Sequence, residues 1–431
     1  MCDSFVALGN STASGSVLLA KSADTSVNEA QHLVRQPRRE YREGAFVRIT
    51  HLNIPQARVT HETILGKSFW AWGTEVACNG HGVAAGNEGA FSNQDEEDKE
   101  GVTVIDLLRL AVERASTARE AVDVIAHHVE TYGQSGNSQF YGHFFCDTGI
   151  LVSDRAEAYV VNCAGRHWAA RKVGDVMAIS NRYQITDDWD LSSLPFDNGA
   201  KPDFRATFAD EKAEEEVAAS RRESRAQSLL EARRGAITVK DMADILRDVG
   251  EDPESYNIPD DERPTRICMH AGPHESRFWH ATNAMISDAG VDGVTVWMTG
   301  TSATDLSIFK PLFFGVAMPD LGPMPLGTYA AGTLWWKHER LHRRAIADYA
   351  ALKPEIRADF DPLEQEFFGE APSVVKAATN VKTDFAVDCW RRAEAVTDRW
   401  IEKLERQNFF IEHGPFREMW DRLNREASFP I

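Results

Sequence analysis

The sequence predicts an α+β fold in which sheets are covered by helices. Strand-like runs come in blocks, a pair of amphipathic helices divides them, and helical periodicity takes over near the end of the 431 residues. Ser4–Leu8 and Ser16–Lys21 are short apolar runs around Gly9-Asn10-Ser11-Thr12-Ala13-Ser14-Gly15. They read as a hairpin with Cys2 at the open end of its first strand. Trp70–Ala77 and Gly82–Ala85 suggest two more strands joined by a turn at Cys78-Asn79-Gly80-His81. Val104, Leu107, Leu108, Ala111 and Val112 then fall at helical spacing. Thr117-Ala118-Arg119-Glu120 has the form of a capping box opening a second helix through Val122, Ile125 and Val129.

Four strands follow at Ile150–Ser153, Glu157–Cys163, His167–Val173 and Val176–Ser180, read as one meander. Residues 205–250 return to helix, with the acidic run Asp210–Glu216 as a solvated face. Strand-like pieces recur at Arg266–His270, Ala281–Ser287 and Val294–Thr299, and the chain is helical from about Leu326. This divides it into residues 2–325 and a helical C-terminal extension, 326–431, packing on that core. Asn79-Gly80 reads as a turn, His127-His128 as surface helix, and His167-Trp168 as packing.

Composition narrows the function. The chain is 43% hydrophobic and 26% charged, the profile of an ordinary globular protein, and its net charge of -19 disfavours nucleic acid and anionic membrane as partners. No basic, apolar leader opens the chain and no apolar run is long enough to span a bilayer. The six cysteines (Cys2, Cys78, Cys146, Cys163, Cys268, Cys389) lack paired spacing for zinc or disulfides, so a reduced cytoplasmic protein is expected.

Cys2 carries the chemistry. Only Met1 precedes it, and methionine is normally trimmed before a small residue. Trimming leaves a thiol of ordinary pKa about 8.5 and an α-amine of about 7.7–8.0 on one residue, a nucleophile with its own base. The return strand brings Lys21-Ser22-Ala23-Asp24 beside it. A cation there favours the thiolate and a carboxylate can orient the amine.

The order Met-Cys, Gly-rich turn, Lys-x-x-Asp resembles the start of the N-terminal nucleophile hydrolases of the secernin and peptidase C69 dipeptidase group. Choloylglycine hydrolases and penicillin V acylases are more distant relatives. The resemblance continues through Gly86-Asn87-Glu88, Thr103–Leu110, Glu130–Gln134, Ser153–Tyr159, Ala164–Ala170 and Ile179-Ser180-Asn181-Arg182. It then runs through Ile267–His270, Leu306–Pro311 and Leu334–Glu339. It implies a four-layer αββα sandwich and hydrolysis of a C–N bond through a Cys2 thioester, without metal or other cofactor. By position, Cys2 is the nucleophile, Lys21 the cation near the sulfur, and Asp24 the partner of the amine. Asn87 and Asn181 position the carbonyl or its oxyanion, and a late arginine falls to Arg266, or failing it Arg277. Secernins carry Lys-Asn-Ser-Asp where this chain has Lys21-Ser22-Ala23-Asp24, which loses a side-chain amide. The substrate implied is a small peptide or N-acyl amide; a homo-oligomer is left open.

Two other readings compete. His338-Glu339-Arg340-Leu341-His342 satisfies H-E-x-x-H, which on a helix presents two imidazoles and a glutamate to zinc. Lys337, Arg340, Arg343 and Arg344 surround it, no third ligand is marked, and a polar helix face is the stronger reading. The other is a secernin-like binding protein that kept the fold without turnover.

Overall fold

A computed structural model describes residues 1–253, 256–261, 265–273, 278–407 and 411–430. In chain order its strands are β1 (Cys2–Ala7), β2 (Val17–Ser26), β3 (Gln31–Gln36), β4 (Arg39–Glu40), β5 (Phe46–Arg48), β6 (Asn53–Pro55), β7 (Val59–Thr60), β8 (Thr63–Ser68), β9 (Val76–Asn79) and β10 (Ala84–Ala90). After the first helix pair come β11 (Asp147–Ser153), β12 (Ala158–Ala164), β13 (His167–Lys172), β14 (Val176–Ile179), β15 (Leu191–Ser192), β16 (Trp279–Gly290), β17 (Gly293–Met298) and β18 (Lys310–Phe313). The helix pair is α1 (Val104–Arg114) and α2 (Ala118–Tyr132). Helices α3 (Phe204–Phe208), α4 (Glu211–Glu216), α5 (Ala219–Ala232) and α6 (Val239–Leu246) follow β15. The tail holds α7 (Leu334–Ala345), α8 (Tyr349–Val374), α9 (Thr379–Glu405) and α10 (Pro415–Glu426).

Two antiparallel sheets stack face to face. One has six strands in the order β14-β1-β2-β16-β17-β18, the other eight in the order β15-β13-β12-β11-β10-β9-β8-β3, and β4–β7 form two small ribbons. Alternation along each strand decides which face a side chain serves. On the hairpin, Val6, Leu8, Val17, Leu19 and Ala23 point at the eight-stranded sheet and pack on Ile64, Val76, Cys78, Ala84, Leu151 and Val160. Their neighbours Phe5, Ala7, Leu18 and Ala20 point the other way, into a cluster with α5, α6 and the tail helices. The outer face of the eight-stranded sheet is covered by α1 and α2 through Leu107, Leu108, Val122 and Ile125. The result is the four-layer αββα arrangement.

The helix pair forms where its caps lie. Thr103 and Thr117 accept from the backbone N–H groups of Asp106 and Glu120, closing the first turns. Glu120 reaches back to the N–H of Ser116 at 2.7 Å, one residue ahead of the position a capping box uses.

Several expectations are corrected. Residues 69–75 form a loop, and the strand before the Asn79 turn begins only at Val76. The fourth strand of the expected meander, β14, leaves β13 and pairs with β1 in the other sheet, with Ser4 opposite Ile179. Arg266–His270 is not a strand, because β2 and β17 occupy both edges of β16; it meets β16 where Ala281 donates to the Met269 carbonyl at 2.9 Å. Glu214, in the acidic run, is buried and pairs with Arg205 at 2.5 Å. His128 is buried too, against the Val124 carbonyl. The tail helices share one apolar cluster with the six-stranded sheet through Leu341, Tyr349, Phe360, Trp400 and Trp420.

Asn79 does more than turn the chain. Its Nδ2 donates to the Val112 and Ala115 carbonyls at the end of α1, both at 2.8 Å, and its Oδ1 accepts from the N–H groups of His81 and Val83. Asn79→Ala leaves these groups buried without partners and is expected to cost at least about 2 kcal/mol. Urea unfolding measures it; a loss near zero would mean α1 does not depend on that side chain.

Candidate functional site

The site grows from the register of three strands. Antiparallel pairing sets Cys2 opposite Ala23 and Ser4 opposite Lys21 on β2. On the other side Ser4 faces Ile179, so two residues further along Asn181 stands opposite Cys2. Nucleophile, cation and asparagine thus meet because two ladders run in step.

The contacts around Cys2 are dense. Its backbone N–H donates to Asn181 Oδ1 at 2.8 Å, and its sulfur accepts from the Asp24 N–H at 3.4 Å. The α-amine, carried by Met1, donates to the Asp24 carbonyl at 2.8 Å. Asp24 Oδ1 accepts from Ser22 Oγ at 2.7 Å, and Oδ2 is buried without a partner. Met1 and Cys2 are themselves buried.

Lys21 crosses from one sheet to the other. Its ammonium donates to the Asn87 carbonyl and lies 3.6 Å from Glu88, with both side chains fully buried. Glu88 also accepts from Ser4 Oγ at 2.5 Å. Gly86 makes this approach possible: a Cβ there would meet Ser4 Oγ at 2.2 Å and Lys21 Cδ at 3.0 Å. The Asn87 side chain is buried with its Oδ1 unpartnered.

Electrostatics follow from burial among charges. Desolvation pushes the Cys2 thiol up, while the Lys21 charge and the α-amine pull it back toward thiolate. Burial pulls Lys21 down, but the charges of Cys2 and Glu88 outweigh it and the ammonium is held above its ordinary range. Burial lowers the Met1 amine and raises Asp24 to about 6.

The structure brings together Cys2, Lys21, Asp24, Asn87 and Asn181. Arg266 stands elsewhere, 3.8 Å from Asp261 and over the Tyr256 ring, and Arg277 lies outside the described residues. The guanidinium that reaches Cys2 belongs to Arg222 on α5. It donates to the Cys2 carbonyl at 3.1 Å, to Asn181 Oδ1 at 2.8 Å and to Asp3 Oδ2 at 2.6 Å. Sequence reasoning missed it among the charges of Ser220-Arg221-Arg222-Glu223-Ser224-Arg225. The signal was its place on the stripe Ala219, Arg222, Ala226, Leu230, the buried face of α5. Asn181 has both ends engaged, since Nδ2 donates to the Gly89 carbonyl at 2.8 Å.

The rival motif resolves differently. His338 Nε2 lies 3.2 Å from Ser307 Oγ, and Glu339 pairs with Arg343 at 2.6 Å and with Ser302. Lys337 faces Glu394 and Asp398, and Arg340 and Arg344 face Glu405, so acids offset the surrounding cations. Among the described residues, the clusters with metal-ligand spacing contain neither His338 nor Glu339.

Glu75 is a second missed residue. It is buried near Lys21, Asp24 and the α-amine, and burial raises it to about 7. A raised carboxylate contributes stability below its unfolded pKa, near 4.5, and loses it as pH climbs through about 7. Glu75→Gln removes that loss. Its stability relative to wild type should therefore grow between these pH values, by up to about 3 kcal/mol, and level off above. Denaturant titrations at pH 5 and pH 8 test this; a difference independent of pH would contradict the raised carboxyl.

Residues 1–213 match the family model of peptidase family C69. Solved structures also align. The C2A mutant of conjugated bile acid hydrolase from Clostridium perfringens is 10% identical over 73% of this chain and 92% of that one, with a TM-score of 0.44. Penicillin V acylase from Agrobacterium tumefaciens is 14% identical over 73% and 86%, at 0.42. The Caenorhabditis elegans ortholog of N-acylethanolamine-hydrolyzing acid amidase is 12% identical over 67% and 94%, at 0.37.

Proposed function

Residues 1–213 match peptidase family C69, and from that premise we propose a cysteine-dependent amidohydrolase that cleaves a C–N bond through a Cys2 thioester. The observation that carries the reading is the pairing at Cys2: its nitrogen rests on Asn181 while its sulfur faces Lys21 and the Asp24 N–H.

Loss of Met1 converts the Cys2 nitrogen from an amide to an α-amine without moving it from Asn181 Oδ1. The amine takes the thiol proton, sulfur attacks the substrate carbonyl, and the C–N bond breaks as the leaving nitrogen receives that proton. Water, deprotonated by the same amine, then attacks the thioester and releases the acid and the thiol. Lys21 favours the thiolate. Asn87 serves the oxyanion with backbone N–H groups, whereas Asn181, spent on Gly89 and Cys2, holds the amine. Arg222 takes the arginine role by fixing the Cys2 carbonyl and Asn181 together. The Asp24 carboxylate lends its charge to the amine that Met1 removal uncovers.

The acyl group binds in the space that Met1 fills. So enclosed a position suits a dipeptide, a short peptide or a small N-acyl amide, and a secernin-like dipeptidase is the nearest description. All six cysteines are free and buried, which fits a cytoplasmic protein. Among the described residues no helix is long and apolar enough to cross a membrane. The tail from 326 acts as a helical cover on the catalytic core.

Intact mass of the purified protein should lack one methionine, and Cys2→Ala should lower turnover of a dipeptide or N-acyl amide panel by at least about 10³-fold. A retained Met1 with no turnover would favour the binding-protein reading instead. Arg222→Lys, which cannot reproduce the forked contacts, should reduce kcat at least about tenfold, while Arg266→Lys stays within about twofold. Steady-state kinetics decide; the reverse order would return the arginine role to Arg266.

A further inference from the structure

Behind the hairpin, on the helix side of the six-stranded sheet, lies a cluster that the hydrolase chemistry does not use. His280 on β16 stands opposite Thr25, one residue from Asp24. His342 comes from α7, and His270 from the irregular segment before β16. All three are buried. The His280 and His342 rings stack at 4.6 Å, and His270 stacks on His342 at 6.2 Å. One nitrogen from each lies within 4.8 Å of the others.

The polar inventory of this cluster is lopsided. Both nitrogens of His280 are buried without a hydrogen-bond partner, as is Nε2 of His342. A neutral imidazole carries one donor and one acceptor, and burying both unpaired is rare. The other contacts set tautomers. His342 Nδ1 lies 3.2 Å from Glu339 Oε1, which places its proton there and leaves the lone pair on Nε2. His270 Nε2 lies 3.1 Å from Asp305 Oδ2 in the same relation. Carboxylates that orient imidazoles in this way are the usual outer support of metal-binding histidines. Burial holds His280 and His270 below their ordinary range, in the neutral form that ligates.

We propose that His270, His280 and His342 bind one divalent transition-metal ion, zinc by the chemistry of three imidazole donors with a water as fourth ligand, as a clamp joining β16, α7 and the segment before β16. Zinc holds imidazole nitrogen at about 2.0–2.1 Å, which sets the nitrogens roughly 3.3–3.5 Å apart, so the rings draw together by about an ångström on binding. Arg343 on Glu339 and Lys353 on Asp305 keep those carboxylates charged and in place. The clamp backs the strand that carries Asp24 and lies apart from H-E-x-x-H chemistry, because it takes His342 from that motif and leaves His338 on Ser307.

The test is metal content of the full-length protein from zinc-supplemented growth, after gel filtration, by inductively coupled plasma mass spectrometry. About one zinc per chain is expected in wild type, in Cys2→Ala and in His338→Gln, and less than a tenth of that in His280→Gln and His342→Gln. Because those last variants can misfold, wild type is also stripped with 1,10-phenanthroline and refilled with Co²⁺. Stripping should lower Tm, and refilling should restore it and produce the visible absorption of a tetrahedral site. Wild type without metal after both treatments overturns the proposal. So does metal lost with His338→Gln or Cys2→Ala, or kept in both His280→Gln and His342→Gln.

Discussion

An ammonium and a carboxyl group sit fully buried between two sheets, and the rest of the site is arranged around them. Lys21 on β2 and Glu88 on β10 are fully buried, 3.6 Å apart. Burial raises the Glu88 carboxyl to about 8 against the pull of Lys21, and desolvation of so buried a pair offsets its attraction, so a hydrophobic pair of equal volume would serve stability as well. What the pair supplies is position. It pins the hairpin bearing Cys2 to the sheet bearing Asn87, with Ser4 and the missing side chain of Gly86 closing the gap. The cation then lies where it opposes the desolvation that raises the Cys2 thiol.

Arg222 performs the complementary task from the helix layer. Cys2 and Ser4 face the sheet interface, so Asp3 between them faces the helices, and there the guanidinium meets it. The same fork reaches the Cys2 carbonyl and Asn181. One residue ahead of its helix, Ala218 takes a left-handed backbone with φ 51°, a conformation that costs a residue bearing Cβ on the order of 1 kcal/mol. The bend brings α5 onto β14 and β1 with Arg222 on the inner stripe. Layers that would otherwise meet through apolar side chains alone are thus joined by charge beside Cys2.

The tail helices belong to the same design. They complete the layer outside the six-stranded sheet, and α7 carries Glu339, His342 and Arg343 to the back of β16. Arg343 links Glu339 to Asn28 and Asn424, so the segment after β2 and the last helix are tied through one side chain. The H-E-x-x-H spacing arises here from packing: Glu339 and His342 serve the buried cluster, and His338 turns to Ser307.

Local pattern alone determined much of this protein. The Gly-rich turn between two apolar runs dictated the hairpin, apolar spacing located α1, Thr117 three residues ahead of Glu120 opened α2, and Cys2 behind a single methionine offered a thiol and, once trimmed, an amine on one residue. Lys21 and Asp24 were legible because the hairpin's return strand sets them beside Cys2, whereas Asn87 and Asn181 were marked only by the family resemblance. Tertiary structure decided what range hides. Period-two alternation does not say which sheet a strand joins, and β14 left its meander for β1, the step that sets Asn181 opposite Cys2. The stripe Ala219, Arg222, Ala226, Leu230 marks the inner face of α5 but not what lies against it, so Arg222 was placed beside Cys2, and Arg266 beside Asp261, only when the helix layer was docked. Glu75 and the histidine cluster were invisible for the same reason: burial is a property of what packs above a residue, and no window of neighbours along the chain contains it.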